Sequence, residues 1–196
     1  MKSVHTTAKA YGKSALITLV MVAGTASMMA ACSTVKTPPK QYSQDLLTES
    51  IRVPAGNEVV LETTAVGVLN YECKADTPSV GMMNWVLTSP KADLLDRTGK
   101  TVIAYSGPPA TWAHTDGSSV VGTQLAVAPV VGAGNLALQL SKGAPGIGAG
   151  TLQNITYIQR INTKGGLNFT RPCTTADLGT KMTLPYQADY IFWKAV

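Results

Sequence analysis

The sequence predicts an all-β domain, and three observations carry that prediction. No stretch keeps a helical period, several short runs alternate apolar and polar side chains, and 18 glycines and 11 prolines are scattered along the chain. Alternation with a period of two is typical of strands that bury one face, and scattered turn residues separate such strands. We therefore expect a two-sheet sandwich or a jelly-roll-like barrel with at most one or two short helical turns.

The chain begins with a segment that we assign to export rather than to the fold. Three lysines without acids precede the apolar run Ala15–Ala23, which is too short to span a bilayer. Ala30 and Ala31 stand directly before Cys32, and this pattern resembles the lipobox of bacterial lipoproteins, with Met29 in place of the more usual leucine. The resemblance implies cleavage before Cys32 and acylation of its thiol and new amine. An ordinary cleaved signal with an incidental cysteine is the alternative.

These assignments give the chain one folded domain behind an anchor, since the remaining length is enough to bury a sizeable core. We expect one helical turn over residues 45–50, shortly before the first strand. The three parts are a lipoprotein signal peptide over residues 1–31, a lipid-anchored tether over 32–50 and a single β domain over 51–196.

The acylated cysteine predicts where the protein resides. Each buried methylene of an acyl chain contributes about 0.8 kcal/mol to membrane binding, so the membrane is the first partner that we expect. Ser33 rather than aspartate follows Cys32. In lipoproteins of this kind that residue implies the outer membrane, on its periplasmic side or at the cell surface.

The charge of the chain gives no support for a nucleic-acid partner. The formal net charge is +5, but three of the sixteen Lys and Arg residues and none of the eleven acids lie in the signal segment. The remaining basic residues are not clustered, as residues that bind phosphates are. We expect a carbohydrate or another envelope component as the partner instead.

Two cysteines remain besides the lipidated one. Cys73 and Cys173 belong to an exported and hence oxidising setting, and we expect them to form a disulfide. Such a bond closes a loop of about 100 residues, for which the chain-entropy model gives about 4.7 kcal/mol. Two free thiols or a metal site are the alternatives.

The first half of the domain shows four strand-like runs separated by turn residues. Because proline removes a hydrogen bond from a sheet, we expect Ser89-Pro90 to end the second run. The residues Arg97-Thr98-Gly99-Lys100 have the composition of a hairpin turn between the third and fourth runs. The four runs are Gly67–Cys73, Met83–Thr88, Ala92–Asp96 and Thr101–Tyr105.

The second half contains a central hairpin, glycine-rich loops and two long strands. Asp116-Gly117 before a β-branched run predicts a tight turn, since glycine tolerates positive φ. The glycine-rich residues 129–150 lack the Gly-Lys-Ser/Thr of a phosphate-binding loop, and we interpret them as bends. The final run is apolar on both faces, so we expect it to lie in the interior of the sheet or to be covered by a second sheet. The runs are Ser119–Ala128, Leu136–Leu140, Thr151–Ile161 and Leu184–Lys194.

Short motifs spread from Val68 to Trp193 form a specific set. They are Tyr71-Glu72-Cys73, Trp85, Ser89-Pro90-Lys91-Ala92, Leu95-Asp96, Gly107-Pro108, Trp112, Asp116-Gly117-Ser118, Gly122, Thr156–Arg160, Asn162–Gly166, Cys173 and Pro185–Tyr190. With these motifs the chain resembles the family catalogued as domain of unknown function 3455, which occurs in exported bacterial and fungal proteins. The resemblance implies a secreted or surface β domain without an assigned activity.

Two positions depart from the family pattern. A histidine precedes the Gly-Pro step in the family, where this chain has Tyr105, and an acid often follows the tryptophan, where it has Ala113. If those groups form a site in relatives, this protein lacks part of it.

The candidate ligand-binding residues are Tyr105, Trp112, His114 and Asp116. Alternate side chains of a strand share a face, so Trp112, His114 and, if the strand reaches that far, Asp116 point the same way. Facing outward beside Tyr105, they would form an aromatic platform for a sugar or another flat ligand. Facing inward, Trp112 would anchor the core and His114 would be a rim side chain bonded to the backbone.

A single histidine outside the signal segment limits the possible catalysis. Sites with two histidine ligands for zinc or iron cannot be built within one copy, and we expect neither a metal nor a cofactor. A serine triad would need His114 with Ser106 or Ser118 and an acid such as Asp116 or Asp189. The spacing does not favour that arrangement, since Asp116 is better explained as a turn former.

Paired carboxylates remain possible, because glycoside hydrolysis needs two acids and no histidine. The expected function is a non-enzymatic domain that binds a ligand or partner at the envelope. The alternatives are a carboxylate-dependent hydrolase acting on polysaccharide, with two acids converging in a concave pocket, and a structural envelope component without a small ligand. The candidate acids for such a hydrolase are Glu62, Glu72, Asp93, Asp96, Asp116 and Asp189.

Arg160 and Asp189 are expected to form buried ion pairs rather than ligand contacts.

Overall fold

The structure, a computed structural model, describes residues 42–76, 81–130 and 132–196. Within these ranges eight antiparallel strands form one sheet that closes into a barrel, with each strand beside its neighbour in the chain and β8 pairing with β1. The proposed signal peptide, Cys32 and the first part of the tether lie outside the described residues. The strands are β1 Asn57–Ala75, β2 Met83–Leu95, β3 Thr101–Ser106, β4 Thr111–His114, β5 Ser119–Ala128, β6 Leu138–Pro145, β7 Ile155–Gly165 and β8 Lys181–Ala195.

The prediction of an all-β domain is confirmed. Its described helical content is two 3₁₀ turns, Glu49–Ile51 and Thr175–Asp177. The arrangement differs from the expected two-sheet sandwich or jelly-roll-like barrel, because all strands belong to one sheet in chain order. Register shifts within the long β1 and β8 accompany the bending that closes this sheet. Among the described residues, no helix is both long and apolar enough to cross a membrane.

The main core fills the inside of the barrel. Alternate residues of the strands point inward, and the fully buried side chains include Leu69, Ile103 and Phe192. Tyr105 and Trp112, opposite each other on β3 and β4, stack with ring centroids 4.8 Å apart. The edge of Trp112 contacts Tyr190, at a centroid distance of 5.6 Å. Aromatic rings from three strands therefore close this part of the interior.

A second apolar cluster lies on the outside of the barrel under residues 42–53, which we call the N-terminal strap. Ile51 and Val53 of the strap are 0% and 3% exposed. They pack with outward-facing side chains of β5 to β8. This explains the final strand, which is apolar on both faces: the strap, rather than a second sheet, covers its outer side. The outer partners are Ala128, Leu140, Ile161, Ile191 and Trp193.

A buried glutamine fixes the strap to the barrel. Gln159 on β7 is 0% exposed. Its Nε2 donates to the carbonyl of Ile51 over 2.7 Å and to Oε1 of Gln44 over 3.1 Å. Its Oε1 accepts hydrogen bonds from the hydroxyl of Tyr42 at 3.1 Å and from Nε1 of Trp193 at 3.0 Å. The amide thus uses both donors and both lone pairs, so one register of the strap satisfies it.

Two strand boundaries differ from the sequence prediction. Pro90 does not end its strand, because the register between β1 and β2 shifts next to it, from Asn70–Ser89 to Tyr71–Leu87. A proline is tolerated beside such a bulge. The strand predicted from Thr151 begins at Ile155, after a turn.

The disulfide between Cys73 and Cys173 is confirmed, with Cα atoms 5.5 Å apart and a sequence separation of 100. It ties the end of β1 to the loop before β8. Phe169 in the same loop stacks on Trp85, with centroids 5.8 Å apart. The loop is therefore held to the barrel by a covalent bond and by a ring contact.

Candidate functional site

The predicted aromatic platform does not face outward. Tyr105 and Trp112 are 8% and 2% exposed and point into the barrel, so Trp112 is a core anchor. Its Nε1 is a buried atom without a hydrogen-bond partner in the described part of the chain. His114 lies at the end of β4, where its Nδ1 accepts the backbone N–H of Asp116 at 3.1 Å. This is the rim position that the inward alternative predicts.

Asp116 shapes the hairpin turn. Its Oδ1 accepts hydrogen bonds from the hydroxyl of Ser118 at 2.6 Å and from its backbone N–H at 2.9 Å. Its Oδ2 accepts the backbone N–H of Thr151 at 2.8 Å. These bonds, that of the Ser118 hydroxyl above all, hold the pKa of the carboxyl far below its ordinary value. Asp116 therefore joins the β4–β5 turn to the loop before β7.

The geometry excludes a serine triad at this turn. The hydroxyl of Ser118 donates to Asp116 rather than to His114, and it accepts the backbone N–H of Leu152 at 3.0 Å. Ser118 is 1% exposed, so a substrate has no access to it. A nucleophile needs both an adjacent base and an open approach.

A polar groove runs over the outside of β1, β7 and β8. Two cavities of about 240 and about 520 Å³ meet at Thr64, Asn162 and Asp189, which line both. A further cavity of about 360 Å³ continues from the smaller one past Glu62 and Arg97. We call this continuous depression the outer groove.

Asp189 lies at the centre of the outer groove and connects its three strands. Its Oδ1 accepts the hydroxyl of Thr64 on β1, and its Oδ2 accepts Nδ2 of Asn162 on β7, each over 2.8 Å. Asn162 has a φ of 50°, in the left-handed region that only a few non-glycine residues adopt. It occupies the register shift between Ile161 and Lys164. Such bulges re-aim side chains beside functional sites.

Two motifs that carry the family resemblance form the larger cavity together. Asn162–Gly166 on β7 pairs with Pro185–Tyr190 on β8, with Lys164 opposite Gln187. Lys164, Gln187 and Asp189 line the cavity, while Tyr186 and Tyr190 of the second motif belong to the core. Gly165, at a φ of 72°, has no room for a side chain, since a Cβ would lie 2.7 Å from the carbonyl oxygen of Pro185.

The other end of the groove is lined by charged groups and by the strap. Glu62 forms an ion pair with Arg97 and accepts the backbone N–H of Tyr42 at 3.3 Å. Burial, and then the charges of Glu62 and Asp189, raise the pKa of Tyr42 to about 12. Asp96 accepts hydrogen bonds from Thr98 and from the backbone of Lys100, with the hydroxyl of Thr98 at 2.6 Å, and these bonds lower its pKa.

Three of the candidate acids, Glu62, Asp96 and Asp189, therefore line one cavity. Each is already engaged: Glu62 by Arg97, Asp96 by its turn, and Asp189 by two neutral donors. A general acid at neutral pH needs a raised pKa, whereas the pKa of Asp96 is lowered. In the described ranges, no group of three His, Cys, Asp or Glu side chains could hold a metal ion.

The expected ion pairs of Arg160 and Asp189 are absent from the described part of the chain. Arg160 faces inward, and its Nη2 donates to the carbonyl of Ala137 at 3.0 Å. Asp189 faces outward and has neutral partners. Asn162 and Gln187 are not among the candidate site residues predicted from the sequence, and Asp189 is predicted only as a candidate acid and as an ion-pair partner. The polar run after an apolar strand and the polar outer positions of the last strand are signals for all three.

The fold and the groove define a class: a closed eight-stranded antiparallel barrel with a polar groove on its outer wall and an N-terminal strap across it. Residues 54–194 match the profile of the family described as protein of unknown function (DUF3455), and the chain belongs to that family. The resemblance found in the sequence is thereby confirmed. The chain matches no curated protein and no solved structure.

Proposed function

We propose that the protein is a non-enzymatic binding protein of the cell envelope that holds a neutral, hydroxyl-rich ligand, a carbohydrate, in the outer groove. The observation that carries the proposal is the set of hydrogen-bonding side chains around Asp189. Asn162, Lys164 and Gln187 line the larger cavity beside it and are exposed. Amide and ammonium groups together donate to and accept from the paired hydroxyls of a sugar.

The balance of charge supports a neutral ligand. At one end of the groove Glu62 is paired with Arg97, beside Asp96, and in the larger cavity one carboxylate, Asp189, is accompanied by one ammonium, Lys164. Among its described residues the groove therefore has no excess of cationic groups. A groove that selects an anion carries an excess of cationic groups. Uncharged hydroxyls instead match the mixture of donors and acceptors present.

The amino-terminal pattern supports the envelope as the site of action. A lipid at Cys32 would hold the barrel to the membrane. The strap follows Cys32 in the chain, and its first described residue, Tyr42, lines the groove. An exported and lipid-anchored binding domain would meet envelope or external carbohydrate at high local concentration.

One observation favours a second candidate, the carboxylate-dependent hydrolase. Glu62, Asp96 and Asp189 share a cavity, as such an enzyme requires. The hydrolase predicts release of reducing ends from a bound oligosaccharide, and loss of that release in Asp189→Asn. The binding protein predicts no release in either form.

A thermal-shift titration of the intact protein tests the proposal. The probes are soluble neutral oligosaccharides of glucose and of N-acetylglucosamine, with an oligomer of uronic acid as the charged comparison. We expect a neutral probe to raise the unfolding temperature, because a ligand that binds only the folded state stabilises it. Gln187→Ala and Lys164→Ala should remove that rise.

Lys142→Ala is the matched control. Lys142 is exposed on β6, over the ring of Tyr157, and does not line the groove. It should keep the full response. The proposal fails if no neutral probe raises the unfolding temperature, or if Gln187→Ala responds as strongly as the unaltered protein.

A further inference from the structure

A second, smaller cavity opens at the barrel wall between β2 and the β3–β4 turn, away from the outer groove. Its volume is about 160 Å³. It shares no lining residue with the groove cavities. We call it the mouth pocket, and it is lined by Leu87, Thr88, Pro90, Tyr105, Gly107, Pro108 and Ala110.

The chemistry of the mouth pocket is apolar and uncharged. None of its lining residues carries a charge, and its prolines have no N–H to donate. The hydroxyl of Thr88 already donates to the carbonyl of Asn70 at 2.9 Å. The ring of Tyr105 packs against that of Tyr190 inside the barrel, with centroids 5.5 Å apart. A charged ligand would find no counter-charge here, so the pocket favours a neutral one.

The size and the inner wall of the pocket favour a flat ring. A closed apolar cavity of about 150 Å³ is known to accept benzene. The inner wall is Tyr105, whose ring stacks on Trp112 at an interplanar angle of 15°. A ring that contacts Tyr105 would extend an aromatic cluster already in place, and aromatic pairs contribute about 0.5–1.5 kcal/mol beyond the area they bury.

The core behind Tyr105 contains a buried polar atom without a hydrogen-bond partner in the described part of the chain. This atom is Nε1 of Trp112, and such a donor costs about 1–3 kcal/mol. A buried polar group without a partner calls for an explanation other than stability. We explain it by ligand binding: the position of Trp112 keeps the ring of Tyr105 stacked at the pocket, where a ligand can contact it.

The turn that forms the outer wall is held in place before any ligand arrives. The carbonyl of Ala110 accepts the backbone N–H of Gly122 at 2.9 Å, and the carbonyl of Pro109 accepts the hydroxyl of Thr111 at 2.9 Å. A Cβ on Gly107 would lie 3.1 Å from the oxygen of Pro109. A pocket with such fixed walls avoids the cost of ordering on binding.

We propose that the mouth pocket binds a neutral aromatic ring of about six to nine non-hydrogen atoms, in contact with Tyr105. The eight-stranded barrel provides this site independently of the outer groove, in keeping with the general use of barrel mouths for small ligands. Leu87, which lines the pocket and is 45% exposed, gives the entrance an apolar rim.

The test is a titration of the intact protein with benzyl alcohol and with benzoate, which differ mainly in charge. Backbone amide shifts of residues 87–89, 105–107 and 110 report on the pocket. We expect saturable shifts there with benzyl alcohol, and binding of benzoate at least tenfold weaker. Signals of Asn162 and Gln187 should not move, which separates this site from the carbohydrate proposal.

Two variants and a matched control complete the experiment. Ala110→Leu fills the pocket and should weaken the binding of benzyl alcohol at least tenfold. Ala113→Leu, at an exposed position of β4 three residues further on, should not. Leu87→Asp changes only an exposed rim position and should weaken binding without unfolding the barrel. The proposal is overturned by an absence of saturation, by equal binding of benzoate, or by unchanged affinity in both Ala110→Leu and Leu87→Asp.

Discussion

Nδ2 of Asn162 lies 2.8 Å from Oδ2 of Asp189 on the outer face of the barrel, and it reaches that oxygen from a left-handed backbone conformation. The other oxygen of Asp189 is held by Thr64. One carboxylate thus joins three strands, and a backbone conformation that is unfavourable for most residues is kept at the same point. Strain of this kind collects at functional sites.

Two substitutions of Asn162 should separate the role of its side-chain amide in the groove from the role of its left-handed backbone conformation. Asn162→Gly removes the amide but tolerates positive φ, so we expect nearly unchanged stability and weaker binding of a carbohydrate in the groove. Asn162→Ala should be about 1–2 kcal/mol less stable than the glycine variant. Urea denaturation measures the stability. Asn154→Gly, also at positive φ but outside the groove, should leave binding unchanged.

Gln159→Leu should release the N-terminal strap. It removes four hydrogen bonds and leaves Nε1 of Trp193 and the carbonyl of Ile51 without this partner. Each such buried group costs about 1–3 kcal/mol, so we expect the two together to lower the free energy of unfolding by about 2–6 kcal/mol in urea denaturation. Hydrogen exchange of residues 42–53 should accelerate. Gln139→Ala on the neighbouring strand is the control; a similar loss there would contradict this role of Gln159.

The strap should also weaken at alkaline pH through Tyr42. Its pKa is raised from 10.0 to about 12, so the folded state favours the neutral phenol. The resulting stabilisation is complete below pH 10 and is lost as the pH rises towards 12. Stability measured from pH 8 upward should therefore fall more steeply above pH 10 for the unaltered protein than for Tyr42→Phe. Parallel curves would refute the assignment.

Asp116 should contribute to stability on the acid side. Its pKa lies far below the ordinary 3.8, so its hydrogen bonds stabilise the fold above that pH and are lost as the pH falls. The difference in stability between the unaltered protein and Asp116→Asn should be largest near neutrality and shrink below pH 3.8. Thermal unfolding at several pH values measures it, and a difference independent of pH would count against this account.

Reduction of the disulfide should lower the free energy of unfolding while the β-barrel stays folded. The loop between Cys73 and Cys173 spans a separation of 100 residues. The chain-entropy model gives about 4.7 kcal/mol for such a loop, and the usual range is about 2–5 kcal/mol. We expect the midpoint of urea denaturation to fall with reductant, and Cys73→Ala/Cys173→Ala to be insensitive to it.

Much of the local structure could be predicted because it depends on near neighbours. Asp116-Gly117 specifies its turn through its own side chain and a positive φ, and the alternation in β8 places Tyr186 and Tyr190 on the inner face. The candidate site was less predictable. Tyr105 and Trp112 share a face in either orientation, and only the closed sheet determines that this face is the inside.

The sequence by itself determined the all-β class, the turns and the sharing of faces along each strand, because these follow from the side chains within a few residues. The pairing of Cys73 with Cys173 was predictable for another reason: two cysteines remain in an exported, oxidising setting. The tertiary structure decided that one sheet closes on itself, that the strap covers its outer wall, and that the groove forms. Thr64 and Asp189, which meet at the centre of that groove, are 125 residues apart in the chain. Contacts over such separations depend on strand pairing, and local periodicity carries no information about which strands become neighbours.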